Sequence, residues 1–168
     1  MGAKTLMSVE EYLHTTFDGA DREYLDGEVV ERNMGNKTHG RVQLSIAYRL
    51  KQLEATKGFY VVVEVRQQVS STRYRIPDVA IFPRDPGDEV PSTPPLAAIE
   101  VLSPDDRIGY MTDKLEEYIH WGVRHIWLAD PERRKFFVYD ATGLHEVSEL
   151  TLPEYAVTLT KAAIFEKE

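Results

Sequence analysis

The chain has 168 residues, 42% of them apolar and 29% charged, which excludes disordered and fibrous classes and is enough to bury a core without staples. It contains no cysteine, so disulfides and thiolate metal sites are excluded and a reducing compartment is compatible. The formal net charge is −8, yet between Arg32 and Arg84 ten basic residues stand against three acids, a segregation able to present a basic face to a polyanion.

At the N-terminus, Met1–Tyr12 lacks the apolar core of a signal peptide, and Leu6 stands where a myristoylation signal needs Ser or Thr. No segment reaches the apolar length of a membrane span, so a cytoplasmic location is expected. Ser8 followed by Glu11 matches a capping box and predicts a short helix to about Thr15. A hairpin follows: Glu23–Leu25, a turn at Asp26–Gly27, and a return strand over 28–32. From Asn36 or Thr38 to about Thr56, Val42, Ile46, Leu50 and Leu53 recur at helical spacing, with His39 on the same face. Strands are expected over Phe59–Val65, Arg66–Ser70 and Tyr74–Phe82, then a loop from Arg84 to Pro95. The strand Leu96–Leu102, apolar on both faces, reads as central. A helix to Trp121 is ended by Gly122, and strands over Val123–Asp130, Lys135–Tyr139 and Leu144–Val147 complete the chain. The order points to a mixed α/β or α+β sheet covered by helices, a single domain over 1–168. It divides into an N-terminal helix and hairpin (8–33), a long helix (37–56), a sheet and helix that carry the chemistry (59–130), and C-terminal strands and tail (131–168).

Two carboxylates interrupt the apolar runs: Asp78 within Tyr74–Phe82 and Glu100 within Leu96–Leu102. An ionised carboxylate buried without a partner is costly, so the pair points to a cation at a shared site. Oxygen ligands favour magnesium or manganese over zinc. A catalytic metal of this type orients a water and offsets charge on a phosphoryl oxygen, as phosphodiester hydrolysis demands. The plainer alternative is a pair of strand-end acids exposed to water or bonded to Arg75 and Arg107. Lys114, one helical turn before Tyr118, is placed to orient or deprotonate a water, or to counter phosphate charge. Glu23 and Glu28 flank the hairpin turn and offer a further carboxylate, while His39 is a candidate for contact with a phosphate or a metal. There is no Gly-rich phosphate loop, no His-x-x-x-His spacing and no serine nucleophile with its own base.

Arg75–Ile76–Pro77–Asp78–Val79, Ile99–Glu100–Val101–Leu102–Ser103–Pro104, Lys114–Leu115–Glu116–Glu117–Tyr118, Gly122–Val123 and Trp127–Leu128–Ala129–Asp130–Pro131 together resemble the Uma-two family. These are restriction-endonuclease-like proteins of the PD-(D/E)XK nuclease superfamily, and the likeness spans nearly the whole chain. The resemblance implies a mixed β-sheet core flanked by helices, with Mg2+ (or Mn2+) between Asp78 and Glu100 and the backbone carbonyl of Val101 as an additional ligand. Where the superfamily usually has a lysine, two residues after the second acid, this chain has Leu102; the family's lysine lies on the following helix, where Lys114 matches. Glu23 matches a family glutamate facing the site, and Tyr110 replaces an aspartate common in the family.

The resulting expectation is a metal-dependent endonuclease acting on DNA. Asp78 and Glu100 hold the metal, Lys114 assists the attacking water and Glu23 completes the acidic cluster. His39, Arg41, Arg73 and Arg75 are the expected contacts to the phosphate backbone. Double-strand cleavage implies a homodimer, and no organic cofactor is expected. The rival reading is a catalytically silent nucleic-acid-binding or regulatory module on the same fold. A glycosidase using paired carboxylates is a weaker third, because the aromatic residues mostly fall at core-like positions.

Overall fold

The computed structural model describes residues 6–165, so the first five residues of the Met1–Tyr12 signal-peptide reading, and Met1–Gly2 of the myristoylation reading, lie outside the described residues. The capping box forms: Ser8 Oγ accepts from the Glu11 amide at 3.2 Å and Glu11 Oε2 accepts from the Ser8 amide at 2.9 Å, starting helix α1 (Val9–His14). Asp26 and Gly27, at φ 53° and 98°, turn the hairpin of β1 (Glu23–Leu25) and β2 (Glu28–Val30). Helix α2 (Lys37–Lys57) is capped by the Asn36 side chain, which accepts from the His39 amide at 2.9 Å, and buries Val42, Ile46 and Leu50.

Four strands follow, β3 (Tyr60–Val63), β4 (Gln67–Ser70), β5 (Arg73–Arg75) and β6 (Val79–Phe82). The predicted strand Tyr74–Phe82 is therefore two. Pro77 has no amide to give to a ladder, and the chain bends at Ile76–Asp78 to pass from one sheet into another. Then come β7 (Ala97–Val101), α3 (Ile108–Trp121), β8 (His125–Asp130), β9 (Lys135–Asp140) and β10 (Gly143–Val147). Gly122 stops α3 in the left-handed conformation, at φ 106°. The chain closes with a hairpin of β11 (Glu149–Leu152) and β12 (Val157–Thr160) and helix α4 (Lys161–Phe165), which the sequence pattern left as tail.

A six-stranded mixed sheet has the order β10-β9-β8-β7-β6-β3, with β7 and β8 parallel and α3 forming their crossover. As the two-sided apolar pattern predicts, β7 is internal. A four-stranded antiparallel sheet, β2-β1-β5-β4, adjoins it through the Ile76–Asp78 bend. On one side of the large sheet, Val42, Ile46 and Leu50 of α2 join Trp127, Phe136 and the C-terminal residues Leu150, Leu159 and Ile164 in the main core. Leu115 and Tyr118 of α3 form a second core with Ala98 and Ile126. Tyr12, Tyr24 and Tyr74 pack α1 onto the small sheet. This is the mixed α+β architecture expected, with helices over its sheets.

Candidate active site

Strands β6 and β7 are antiparallel neighbours, Val79 opposite Ile99 and Ala80 opposite Ala98. Extending that register by one residue sets Asp78, at the bend, beside Glu100. Both side chains are almost wholly buried, at 4% and 3% exposure, so neither is the water-facing strand-end acid of the plainer reading. The bend also brings in the small sheet. Tyr24 lies opposite Tyr74 and Leu25 opposite Arg73, so Glu23 and Arg75 face each other across β1 and β5.

Glu23 and Lys114 satisfy the backbone at the bend. Glu23 Oε1 accepts from the Ile76 amide at 2.9 Å, and Lys114 Nζ donates to the Ile76 carbonyl at 3.2 Å. The ammonium also lies 2.8 Å from Glu23 Oε1 and 2.9 Å from Glu100 Oε1. Tyr118, one turn along α3, donates to the same Glu100 oxygen at 2.7 Å. Lys114 is thus wedged between two carboxylates, on the helix face that also anchors α3 to the sheet.

Burial raises the pKa of both glutamates, and the cations beside them decide the outcome. Desolvation pushes Glu23 up, but Lys114 and Arg75 outweigh it and hold the carboxyl at about 2. Desolvation pushes Glu100 up to about 7; Lys114 opposes this, while the charges of Asp78 and Glu23 add to it. Glu23 has two cations and Glu100 a share of one. Burial pulls Lys114 down, yet Glu100 and Glu23 more than compensate and its pKa is raised, so it is charged at neutral pH.

Asp78 is held from three sides. Its Oδ2 accepts from the Val101 amide at 2.7 Å and lies 3.5 Å from His39 Nε2, while Arg32 Nη2 donates to Oδ1 at 2.9 Å. Burial raises its pKa, but His39, Lys114 and the Val101 amide lower it further, leaving it ionised. His39 loses charge stability to burial and regains more from Asp78, with the Val101 carbonyl also favouring its protonated form. That carbonyl and the Asp78 carboxylate therefore both face the His39 ring.

These groups line one cavity of about 350 Å3, with Glu23, Arg32, His39, Asp78, Glu100 and Lys114 on its wall. Asn33, Val101, Ser103, Asp106, Arg107 and Tyr110 are among the other residues that line it. Among the described residues no three His, Cys, Asp or Glu side chains are gathered as a ready-made metal cage. The donors that do converge are hard: two carboxylates and a backbone carbonyl. Glu100 takes both its partners, Lys114 and Tyr118, on Oε1, and burial keeps its pKa raised. The residues fit a divalent cation held by oxygen atoms.

The structure brings Asp78, Glu100, Val101, Lys114, Glu23 and His39 together and leaves three of the expected phosphate contacts elsewhere. Arg75 is buried between Glu23 and Glu117, with Nη1 2.8 Å from Glu23 Oε2. Arg73 is divided between Glu117 and Asp26, and neither arginine faces the cavity. Arg41 is exposed on the second turn of α2. The suggested alternative partners of the acids, Arg75 and Arg107, are replaced by Arg32 and Lys114. Arg32 and Tyr118 escaped notice because the first sat in a general count of basic residues and the second in an apolar helix face. Tyr110, noted only as a departure, donates to Glu23 and accepts from Arg75 at 2.9 Å.

A family model described as "Putative restriction endonuclease" matches residues 9–163. A crystal structure of a putative nuclease belonging to DUF820 from Anabaena variabilis ATCC 29413 shares the fold. It superposes with a TM-score of 0.81 over 95% of this chain and 97% of that one, at 20% identity. No curated protein matches the chain.

Proposed function

Since the chain belongs to the Uma2 family, described as putative restriction endonucleases, we propose that it is a metal-dependent DNA endonuclease that hydrolyses phosphodiesters in the Asp78–Glu100 cavity. The observation that carries this reading is the side-by-side placement of those two carboxylates, Asp78 at the bend leading into β6 and Glu100 on the adjacent β7, with the Lys114 ammonium 2.9 Å from Glu100. Asp78, Glu100 and the Val101 carbonyl would hold Mg2+ or Mn2+, which would supply a water of lowered pKa and offset charge on the phosphoryl oxygen.

Lys114 is kept protonated by Glu23 and Glu100, so it orients the water and offsets phosphate charge and does not take up a proton. Glu23 fixes Lys114 and, through Ile76, the bend on which Asp78 sits. His39 and Arg41, on the first two turns of α2, contact the DNA backbone, a salt-sensitive and largely sequence-independent attraction. Arg73 and Arg75 act instead by bracing Glu23 and α3. One cavity cuts one strand, so cleavage of both requires a homodimer.

A nicking assay on plasmid DNA with Mn2+ tests the assignment in wild type, Glu100→Ala and Lys114→Ala. Cleavage confined to wild type is expected; equal cleavage by all three overturns the assignment. The second reading, a silent DNA-binding module, draws on the occupied state of Asp78, whose oxygens are taken by Arg32 and the Val101 amide. It predicts that Asp78→Ala leaves metal binding unchanged.

A further inference from the structure

Arg32 belongs to neither strand nor helix: it lies in the connection from β2 to α2, and its neighbour Asn33 is tied to Asp106 Oδ1 at 2.7 Å across the cavity. Its side chain reaches inward, with 13% exposure, and lines the cavity. A guanidinium has five N–H donors and meets a carboxylate best through two parallel bonds. Here a single bond to Asp78 is made, Nη2 to Oδ1, because Oδ2 is occupied by the Val101 amide and His39. The other donors of Arg32 have no hydrogen-bond partner among the described residues.

Lys114 is the contrast. Its ammonium has three acceptors, Glu23, Glu100 and the Ile76 carbonyl, on three separate elements, and is pinned. Arg32 has one acceptor, and that acceptor is the carboxylate assigned to the metal. Two cations cannot share Asp78 Oδ1 without strong repulsion at such short range. One gives way, and the flexible, singly bonded one is Arg32.

We propose that Arg32 is an exchangeable counter-ion: it neutralises Asp78 while the metal is absent, and on metal binding it releases Oδ1 and turns its unused donors onto a non-bridging oxygen of the DNA phosphate. The proposal rests on the reading of the site as a divalent-metal nuclease. It gives Arg32 two opposed effects, against the metal and for the phosphate, that a purely structural residue does not have. Next to it the Asn33 side chain is bonded to Asp106 Oδ1, and the exchange asks only for a movement of the Arg32 side chain.

The test uses the full chain. Mn2+ affinity is measured by titration calorimetry for wild type, Arg32→Gln and Asp78→Asn, and binding to a DNA duplex by fluorescence anisotropy in Ca2+. Arg32→Gln binds Mn2+ more tightly, by roughly threefold or more, and binds the duplex about tenfold more weakly. Asp78→Asn loses the metal. If Arg32→Gln binds Mn2+ no more tightly while Asp78→Asn still loses it, the exchange is refuted and the metal site stands. If Asp78→Asn binds Mn2+ like wild type, the metal reading falls and the exchange falls with it. A second measurement follows wild type itself, with Arg32→Lys used to assign the signal: the Arg32 guanidinium NMR resonance shifts on Mg2+ addition, and no shift refutes the exchange.

Discussion

Glu23 and Glu100 share one cation, the ammonium of Lys114, at 2.8 and 2.9 Å; burial raises the pKa of both, yet Glu23 ends below its ordinary value and Glu100 above it. Glu23 is rescued by a second cation, Arg75, and Glu100 is not. The site is therefore settled on the Glu23 side and short of positive charge on the Glu100 side, beside Asp78.

The imbalance has a stability signature. Glu100 moves from an ordinary 4.5 to about 7 on folding, so well below pH 4.5 it is protonated in both states and contributes nothing. Between 4.5 and 7 the unfolded chain ionises alone and stability falls; above 7 the loss is constant. Glu100→Gln removes this cost and is expected to stabilise the metal-free protein at pH 8 by on the order of 2–3 kcal/mol. Urea denaturation in chelator at pH 8 and at about pH 4 checks it: the gain is present in the first and absent in the second. A variant less stable than wild type at pH 8 refutes the electrostatic account.

Glu23 slopes the other way. Its folded pKa is depressed to about 2, so its contribution is complete above 4.5 and drains away as pH falls from 4.5 toward 2. Glu23→Gln leaves Lys114 and Arg75 each with one fewer carboxylate, and is expected to cost roughly 3 kcal/mol at neutral pH, as breaking a buried pair does. Melting curves across the acid range should show that deficit shrinking as pH drops through the window. A deficit independent of pH points to packing alone.

Lys114 separates chemistry from binding. Lys114→Gln is expected to lower DNA nicking by about 100-fold or more, while duplex affinity in Ca2+ changes little, because the ammonium is buried and pinned between Glu23 and Glu100. Comparable losses in both measurements assign Lys114 to substrate binding instead.

Most elements were legible because each has a local cause: the Ser8–Glu11 box, the Asp26–Gly27 turn, the four-residue spacing of Val42, Ile46 and Leu50, and the stop at Gly122. The break inside Tyr74–Phe82 was misread because apolar character is continuous through it. Pro77 was the available signal, and it decides which sheet receives Asp78. The hairpin β11–β12 was missed because its short runs are made regular by packing on α2 and the large sheet, which lie far away in sequence. In the site, the buried acids and Lys114 stood out against their own neighbours. Their partners did not: Arg32, Tyr118 and Tyr110 are ordinary residues in ordinary local settings, and the pairing of Arg75 with Glu117 instead of DNA depends on how α3 lies over β5.

Tyr110 offers the last test, because its phenol sits between Glu23 and Arg75 on the cavity wall. In the second half-turn of α3 it donates to Glu23 and accepts from Arg75 at 2.9 Å, and burial followed by the Glu23 charge raises its pKa, so it stays neutral. A neutral donor strengthens the ionised form of Glu23 without adding charge to a cavity already rich in acids. Tyr110→Phe removes one bond from each partner and keeps the ring, and is expected to cost about 1–2 kcal/mol, with nicking activity largely retained. Tyr110→Asp puts a further carboxylate against Glu23, and its penalty at neutral pH should exceed that of Tyr110→Phe and diminish under acid. Should Tyr110→Asp prove the more stable variant at pH 7, Arg75 has turned to it as a full ion-pair partner, and the phenol is a substitution that the site tolerates without using.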